Sequence, residues 1–370
     1  MICPLCLHFG ADLIFCKLMI RIKAFLSVIC LLLPACLYGQ AFVVDSDSHQ
    51  PVPYAQIVNS RGVTIGVTDA NGKFPSDLDS GNVTVVHVAY YPKEVVCRSL
   101  GDGSKISLEP RCYSLDEIEV SVKQNDYVHL KTYFRSYQQN DSCLKYYKDG
   151  FADFFVRLKN KKIKRYVSHP RVLENRSLTE KDRKRGAAMV DKYIATPYLE
   201  KQTLAERLEH GGWNFCKDSL FCTLSHDGKQ YGAVRLDTAG HTCVCTYDVL
   251  AGEGERNGSL FGFTSRLTDF LQTETYSLRD GIPSYMDLVN MRNYRKIFYK
   301  YKKDLREQMV EVVDELYVLD REYISSEEMK KAVDEIEKSE DCTYPDETVV
   351  APLNGYLNEV LKNGMTIVER

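Results

Sequence analysis

From Ala41 to Pro110 apolar and polar positions alternate in short runs divided by turn residues, the period of half-buried strands. The runs predict strands at Ala41–Val44, Gln56–Val58, Val63–Thr68, Val83–Ala89, Glu94–Cys97 and Lys105–Leu108. Asn71-Gly72 reads as a tight hairpin turn, because glycine accepts positive φ. Strands this short and this closely spaced close most economically as a Greek-key β-sandwich. Further alternating stretches follow at Phe151–Leu158, Tyr231–Leu236, His241–Val249, Arg295–Tyr301 and Gln308–Leu319. The period turns helical at Leu199–Leu208 and Ser325–Ser339. In the second helix Ser325 and Glu328 stand at capping-box spacing, and Met329, Val333 and Ile336 share one face. The fold class expected is therefore mainly β: a sandwich over residues 41–122, then an α+β domain over 126–370 built on a larger antiparallel sheet with a few helices.

Residues 1–39 have a different character. From Met19, the favoured start, a basic stretch with Arg21 and Lys23 precedes the apolar run Ala24–Leu33, the order of a secretory signal peptide. A membrane span needs about 20 apolar residues, which neither this run nor any later one supplies. Export to the periplasm or outer membrane is expected, with release near Gly39-Gln40 favoured. The competing cut lies in Leu33-Pro34-Ala35-Cys36, which resembles a bacterial lipobox and makes Cys36 a lipidation candidate, although Pro34 is atypical there.

Charge and cysteine narrow the partners. With 48 Lys+Arg against 51 Asp+Glu the net charge is −3, so no bulk field recruits nucleic acid, and a membrane is expected only through an anchored N-terminus. Eight of the 13 cysteines lie beyond residue 40, an even number in a compartment where thiols oxidise. Cys97 with Cys112 is the disulfide expected first, since both fall in the sandwich.

The sandwich residues resemble the carboxypeptidase-like regulatory domain that fronts many Gram-negative outer-membrane transporters. The resemblance rests on Val43-Val44-Asp45, on Pro51-Val52-Pro53-Tyr54-Ala55-Gln56-Ile57, on the turn motif Thr68, Asp69, Gly72 and Phe74, and on the exit strand Leu115–Val120. Tyr90-Tyr91 departs from the family's Gly-Tyr. The resemblance implies a prealbumin-like fold and an accessory module without catalytic residues. Leu130–Tyr137, Tyr146–Phe151 and Leu319–Ile324 are similar to the region that follows this module in uncharacterised exported proteins, a group with no assigned activity.

Catalytic motifs are missing. None of the 8 histidines has Glu three positions on, as a zinc carboxypeptidase would require, and there is no Gly-x-Ser-x-Gly, P-loop or Gly-x-Gly-x-x-Gly. No cofactor is expected. His241, Cys243 and Cys245 alternate on a strand and form a weak metal candidate, outweighed by their reading as core residues. Asp149 with Asp153 and Asp314 with Glu315 are carboxylate pairs of a kind that chance supplies. The basic run Lys159–Arg165 reads as a solvated hairpin tip. Tyrosine is abundant, 24 against one tryptophan, and Tyr133, Tyr137, Tyr146 and Tyr147 would suit glycan or protein recognition if exposed, or plain strand formation if buried. The expected protein is an exported, non-catalytic envelope component whose second domain binds an envelope partner or ligand. The alternative is a peptide or glycan hydrolase with a non-standard site. A small outer-membrane barrel over 126–370 is disfavoured by the charged helix at 325–339.

Overall fold

A computed structural model describes residues 40–78, 81–111, 125–184, 192–217, 222–237, 241–260, 262–278, 283–339, 342–345 and 349–369. The expected signal segment at 1–39, with Cys36, and the exit strand and Cys112 lie outside these residues.

The fold is mainly β. Six short strands come first: β1 (Phe42–Asp45), β2 (Gln56–Val58), β3 (Thr64–Val67), β4 (Asn82–Val86), β5 (Lys93–Val96) and β6 (Lys105–Leu108). They form two layers, a parallel β1-β6 pair and an antiparallel sheet ordered β3-β2-β4-β5. Val43, Ile57, Val83, Val85, Ile106, Leu108 and Phe74 fill the space between. Alternation along each strand is what turns one face inward.

The turn motif is built as its residues require, with one difference. Asp69 Oδ1 accepts from the Asn71 and Lys73 amides, both at 2.8 Å. Thr68 Oγ1 accepts from the Ala55 amide at 2.8 Å and donates to the Val52 carbonyl at 3.0 Å. Gly72 sits at φ +68, where a Cβ would stand 2.6 Å from the Val43 carbonyl oxygen. Yet the turn does not close a two-strand hairpin. β3 pairs with β2, and the chain after Gly72 instead bridges to β1 at Phe42↔Lys73.

Among the described residues from Tyr127 on, twelve strands make one sheet. They are β7 (Tyr127–Asn140), β8 (Cys143–Arg157), β9 (Ile163–Glu174), β10 (Trp213–Lys217), β11 (Cys222–His226), β12 (Lys229–Asp237), β13 (Thr242–Asp248), β14 (Arg256–Leu260), β15 (Phe263–Ser277), β16 (Leu288–Tyr301), β17 (Gln308–Ile324) and β18 (Thr366–Glu369). The order is β10-β11-β12-β13-β15-β16-β17-β7-β8-β9-β18 with β14 on β15, so the path among the described residues is open at β10 and β18. Every pairing in it is antiparallel. Among the described residues four α-helices accompany it: α1 (Arg176–Lys184), α2 (Leu204–His210), α3 (Ser326–Lys338) and α4 (Gly355–Asn363). Among the described residues no helix is long and apolar enough to cross a membrane.

Both faces of this sheet are covered. One face carries a core running from Leu130, Phe134 and Phe154 through Met291 and Leu316 to Leu224, Cys243 and Cys245. Residues 192–203 lie across it, and Leu199 and Leu204 join that core. Their backbone is tied down by the Tyr193 amide donating to Gln138 Oε1 at 2.7 Å and the Ala195 amide to Ser136 Oγ at 3.3 Å. The helix expected from Leu199 therefore begins only at Leu204, where Thr203 and Glu206 form a capping box. On the opposite face α3 packs Met329 on Tyr127 and Phe155, Val350 meets Tyr133 and Tyr317, and α4 sets Leu357 among Tyr137, Tyr294 and Val313. The sandwich docks on this same face, with Val244 of β13 entering the sandwich core.

Candidate functional site

Where sandwich, sheet and α4 meet, a cavity of about 300 Å³ remains. Val58, Thr64, Thr84, His87 and Tyr90 contribute from the sandwich, Arg135, Tyr137, Arg292, Glu311 and Glu315 from the sheet, and Leu353, Asn354, Gly355 and Leu357 from the start of α4 and the residues before it. β7, β16 and β17 are adjacent in the sheet, and the register Arg292↔Glu315↔Arg135 puts these three side chains in one row on one face.

The row is a shared ion pair. Arg135 Nε donates to Glu315 Oε2, and an Arg292 Nη lies 3.3 Å from Glu315 Oε1. The Tyr317 hydroxyl donates to the same carboxylate at 3.1 Å. Burial alone would push the Glu315 carboxyl up, but the two guanidiniums outweigh it and hold it below its ordinary 4.5. Glu311, two strand repeats away on the same face, is satisfied differently. It accepts from the Tyr294 hydroxyl at 2.7 Å and from the Thr64 amide of the sandwich at 3.1 Å. Burial outweighs these hydrogen bonds and the nearby Lys296 charge, so its carboxyl is pushed up.

Further contacts fasten the sandwich to the sheet around the cavity. Arg292 Nη2 donates to Gln56 Oε1 at 2.6 Å, and Gln139 Nε2 donates to the Arg61 carbonyl at 2.9 Å. Arg235 of β12 pairs with Asp45, which also accepts from the Tyr90 hydroxyl at 3.0 Å. His87 Nδ1 accepts from the Ala89 amide at 3.2 Å. Burial, with Arg235 and Arg292 nearby, lowers His87 to about 3, so the ring is neutral at physiological pH.

No protein-family model matches the chain, and no curated protein does. A solved structure described as "Lipid-protein interactions in lipovitellin" aligns over 55% of this chain and 26% of that one, at 5% identity and TM-score 0.20. That likeness is too slight to define a shared fold.

The remaining candidates from the sequence distribute as follows. Tyr133, Tyr137, Tyr146 and Tyr147 are all buried, so no displayed tyrosine cluster exists at these positions. They are strand residues facing covers: Tyr137 lines the cavity, Tyr133 and Tyr147 donate to Asp149, and Tyr146 stands on the opposite face. Cys243 and Cys245 share a buried face with sulfurs 3.8 Å apart, while His241 precedes the strand at φ 48 and is exposed. Burial pushes the Cys245 thiol well up, away from thiolate, and no group of three metal-ligating side chains forms among the described residues. Cys97 is half-buried and carries a free thiol.

The carboxylate pairs separate too. Asp149 binds Arg171, Asp153 binds His129 at 2.7 Å, and Asp314 and Glu315 point to opposite faces, as neighbours on a strand must. Lys159 to Lys162 form an exposed turn between β8 and β9. The sequence reading missed Arg135, Arg292, Glu311 and His87, and named Glu315 only as half of a chance pair with Asp314. Their one signal was a charge standing inside an apolar run, as in Val310-Glu311-Val312-Val313-Asp314-Glu315-Leu316.

Proposed function

We propose that the chain is an exported, non-catalytic envelope protein that binds a small ligand in the cavity between its regulatory-like sandwich and its large sheet. The observation that carries this reading is the cavity itself, whose wall is composed from both regions and from the α4 approach. Pockets of about 300 Å³ and upward are the size that takes small molecules. The chemistry of the wall supports binding over turnover. Glu315 has both oxygens committed and a lowered pKa, Glu311 is bonded to a hydroxyl and an amide, and His87 spends its lone pair on the Ala89 amide. A general base needs a free lone pair and a pKa near the working pH. Glu315 and His87 offer neither.

The sandwich then acts as a fixed lid whose polar stitches, Asp45 to Arg235 and Gln56 to Arg292, hold the cavity's dimensions. The test is thermal unfolding of the mature chain against a library of small sugars, peptides and acids. A ligand is expected to raise the midpoint, and Thr84→Phe, which fills the cavity from the sandwich side, is expected to abolish the shift. Turnover of a peptide or glycan by the purified chain would decide for the hydrolase instead.

A further inference from the structure

We propose that the cavity ligand is an uncharged, mainly apolar small molecule, held by its fit against Val58, Val86, Val313, Leu353 and Leu357 and not by an ion pair. The inference rests on the ligand-binding reading above and names the class of ligand.

The charges of the wall carry it, because they are answered within the wall itself. Arg135 and Arg292 both reach Glu315, and Glu311 and Glu94 line the same cavity. Glu311 accepts from the Tyr294 hydroxyl and the Thr64 amide, with the Lys296 charge nearby. Glu94 lies on the exposed β5, where solvent screens it. The wall therefore holds no cation in want of a partner, and no anion either. A charged ligand of either sign would leave water for a site without a counter-charge, which is costly. An uncharged ligand escapes that cost.

The polar atoms around the cavity are engaged as well. His87 Nδ1 accepts from the Ala89 amide at 3.2 Å, Gln139 Nε2 donates to the Arg61 carbonyl at 2.9 Å, and Asn354 Oδ1 accepts from the Tyr356 amide at 3.0 Å. Arg292 Nη2 donates to Gln56, and its Nε has no accessible surface from which to reach a ligand. Few directional bonds are left for a guest. What remains is aliphatic: Val86 and Leu353 are only half-buried, and with Val58, Val88, Val313 and Leu357 they frame the cavity. Affinity then comes from apolar surface removed from water, which scales with area and needs no charge on the ligand.

The experiment titrates the full mature chain calorimetrically with two matched series, 1-hexanol against hexanoate and hexylammonium, and benzyl alcohol against benzoate and benzylammonium. At least one alcohol should saturate one site, and the acid and the amine of the same skeleton should bind about tenfold more weakly or worse. Thr84→Phe, which fills the cavity, should abolish binding of that alcohol. Circular dichroism establishes that the variant is folded, and the comparison within each series on the unaltered chain stands even if it is not. An acid or amine that binds as well as its alcohol, or saturation only by small neutral sugars, overturns the inference while the ligand-binding reading survives. Alcohol binding undiminished in folded Thr84→Phe overturns it too, since the site would lie elsewhere. If no alcohol, ion or sugar binds, both readings fall.

Discussion

The turn motif of the sandwich and the long strands of the sheet satisfy polar groups in different ways. In the turn motif the partners are local to the sandwich, as for exposed Asp69, which accepts from two amides of its own turn, and for buried Thr68, which accepts from the Ala55 amide. In the sheet, charged side chains stand in the middle of long strands: Arg135 on β7, Arg292 on β16, Glu311 and Glu315 on β17. Turn residues of the first kind are what make a chain fold one way rather than another. Mid-strand charges of the second kind contribute nothing to strand formation and must overcome desolvation. Where a fold departs from its own local rules without structural need, a site is the usual reason. Arg135, Glu311 and Glu315 make that departure on the part of the sheet that faces the sandwich, while Glu274 and Asp314 are buried on the opposite face.

The sharpest way to break this comparison is Glu315→Ala. It leaves buried Arg135 and half-buried Arg292 without their common partner and should cost about 3–5 kcal/mol of unfolding free energy in urea. If it costs under about 1 kcal/mol, the row is not desolvated and the contrast with the sandwich is lost. Gly72→Ala probes the other side of the comparison. A Cβ at φ +68 would also meet the Val43 carbonyl at 2.6 Å, so a loss of about 2–3 kcal/mol is expected. Here the mechanism is steric, and salt should not change it, whereas the Glu315→Ala penalty concerns charge.

A pH titration tests the boundary between the two regions. His87 is held neutral in the folded protein down to about 3, while in the unfolded chain it protonates below its ordinary 6.5. The unfolded state therefore binds the extra proton through that window, and stability must fall as pH falls from 6.5 towards 3. At pH 5 the loss from this group is about 2 kcal/mol. His87→Asn should flatten the urea midpoint between pH 7 and 5. A midpoint that drops as steeply in the variant would mean that the ring is not buried between Arg235 and Arg292.

Much of the scaffold was legible because it follows from local chemistry. Gln56–Val58 and Lys105–Leu108 are strands over the very residues their alternation marks. The Ser325 cap appears where Ser and Glu stand three apart. The Asn71-Gly72 turn was legible as a turn but not in its pairing, because which strand the chain meets next depends on a long-range bridge to Phe42. The cavity was not legible at all. Its charges come from strands β7, β16 and β17, which a register of the whole sheet brings together, and from a sandwich docked by contacts such as Thr64 to Glu311. The tyrosines misled for the same reason. Whether a strand residue is displayed or covered depends on what packs over the sheet, and here α3, α4 and the sandwich cover the face that holds Tyr133, Tyr137 and Tyr147.

The smallest effect expected separates that cover from the site it surrounds. Ser325 Oγ accepts from the Glu328 amide at 3.3 Å and donates to Glu328 Oε2 at 2.8 Å, which also accepts from the Ser325 amide at 2.8 Å. Ser325→Ala removes the side chain's part of this box and should cost about 1 kcal/mol, by the usual worth of an N-cap. Since α3 rests on Tyr127, Phe155 and Ile324 and no α3 residue lines the cavity, the rise in unfolding midpoint that a cavity ligand gives this variant should match that of the unaltered chain. A cap substitution that weakened binding would mean that α3 and the cavity move together. The face shared by helix and sandwich would then be one cooperative unit, and the division between a locally determined scaffold and a long-range site would have to be redrawn along the sheet itself.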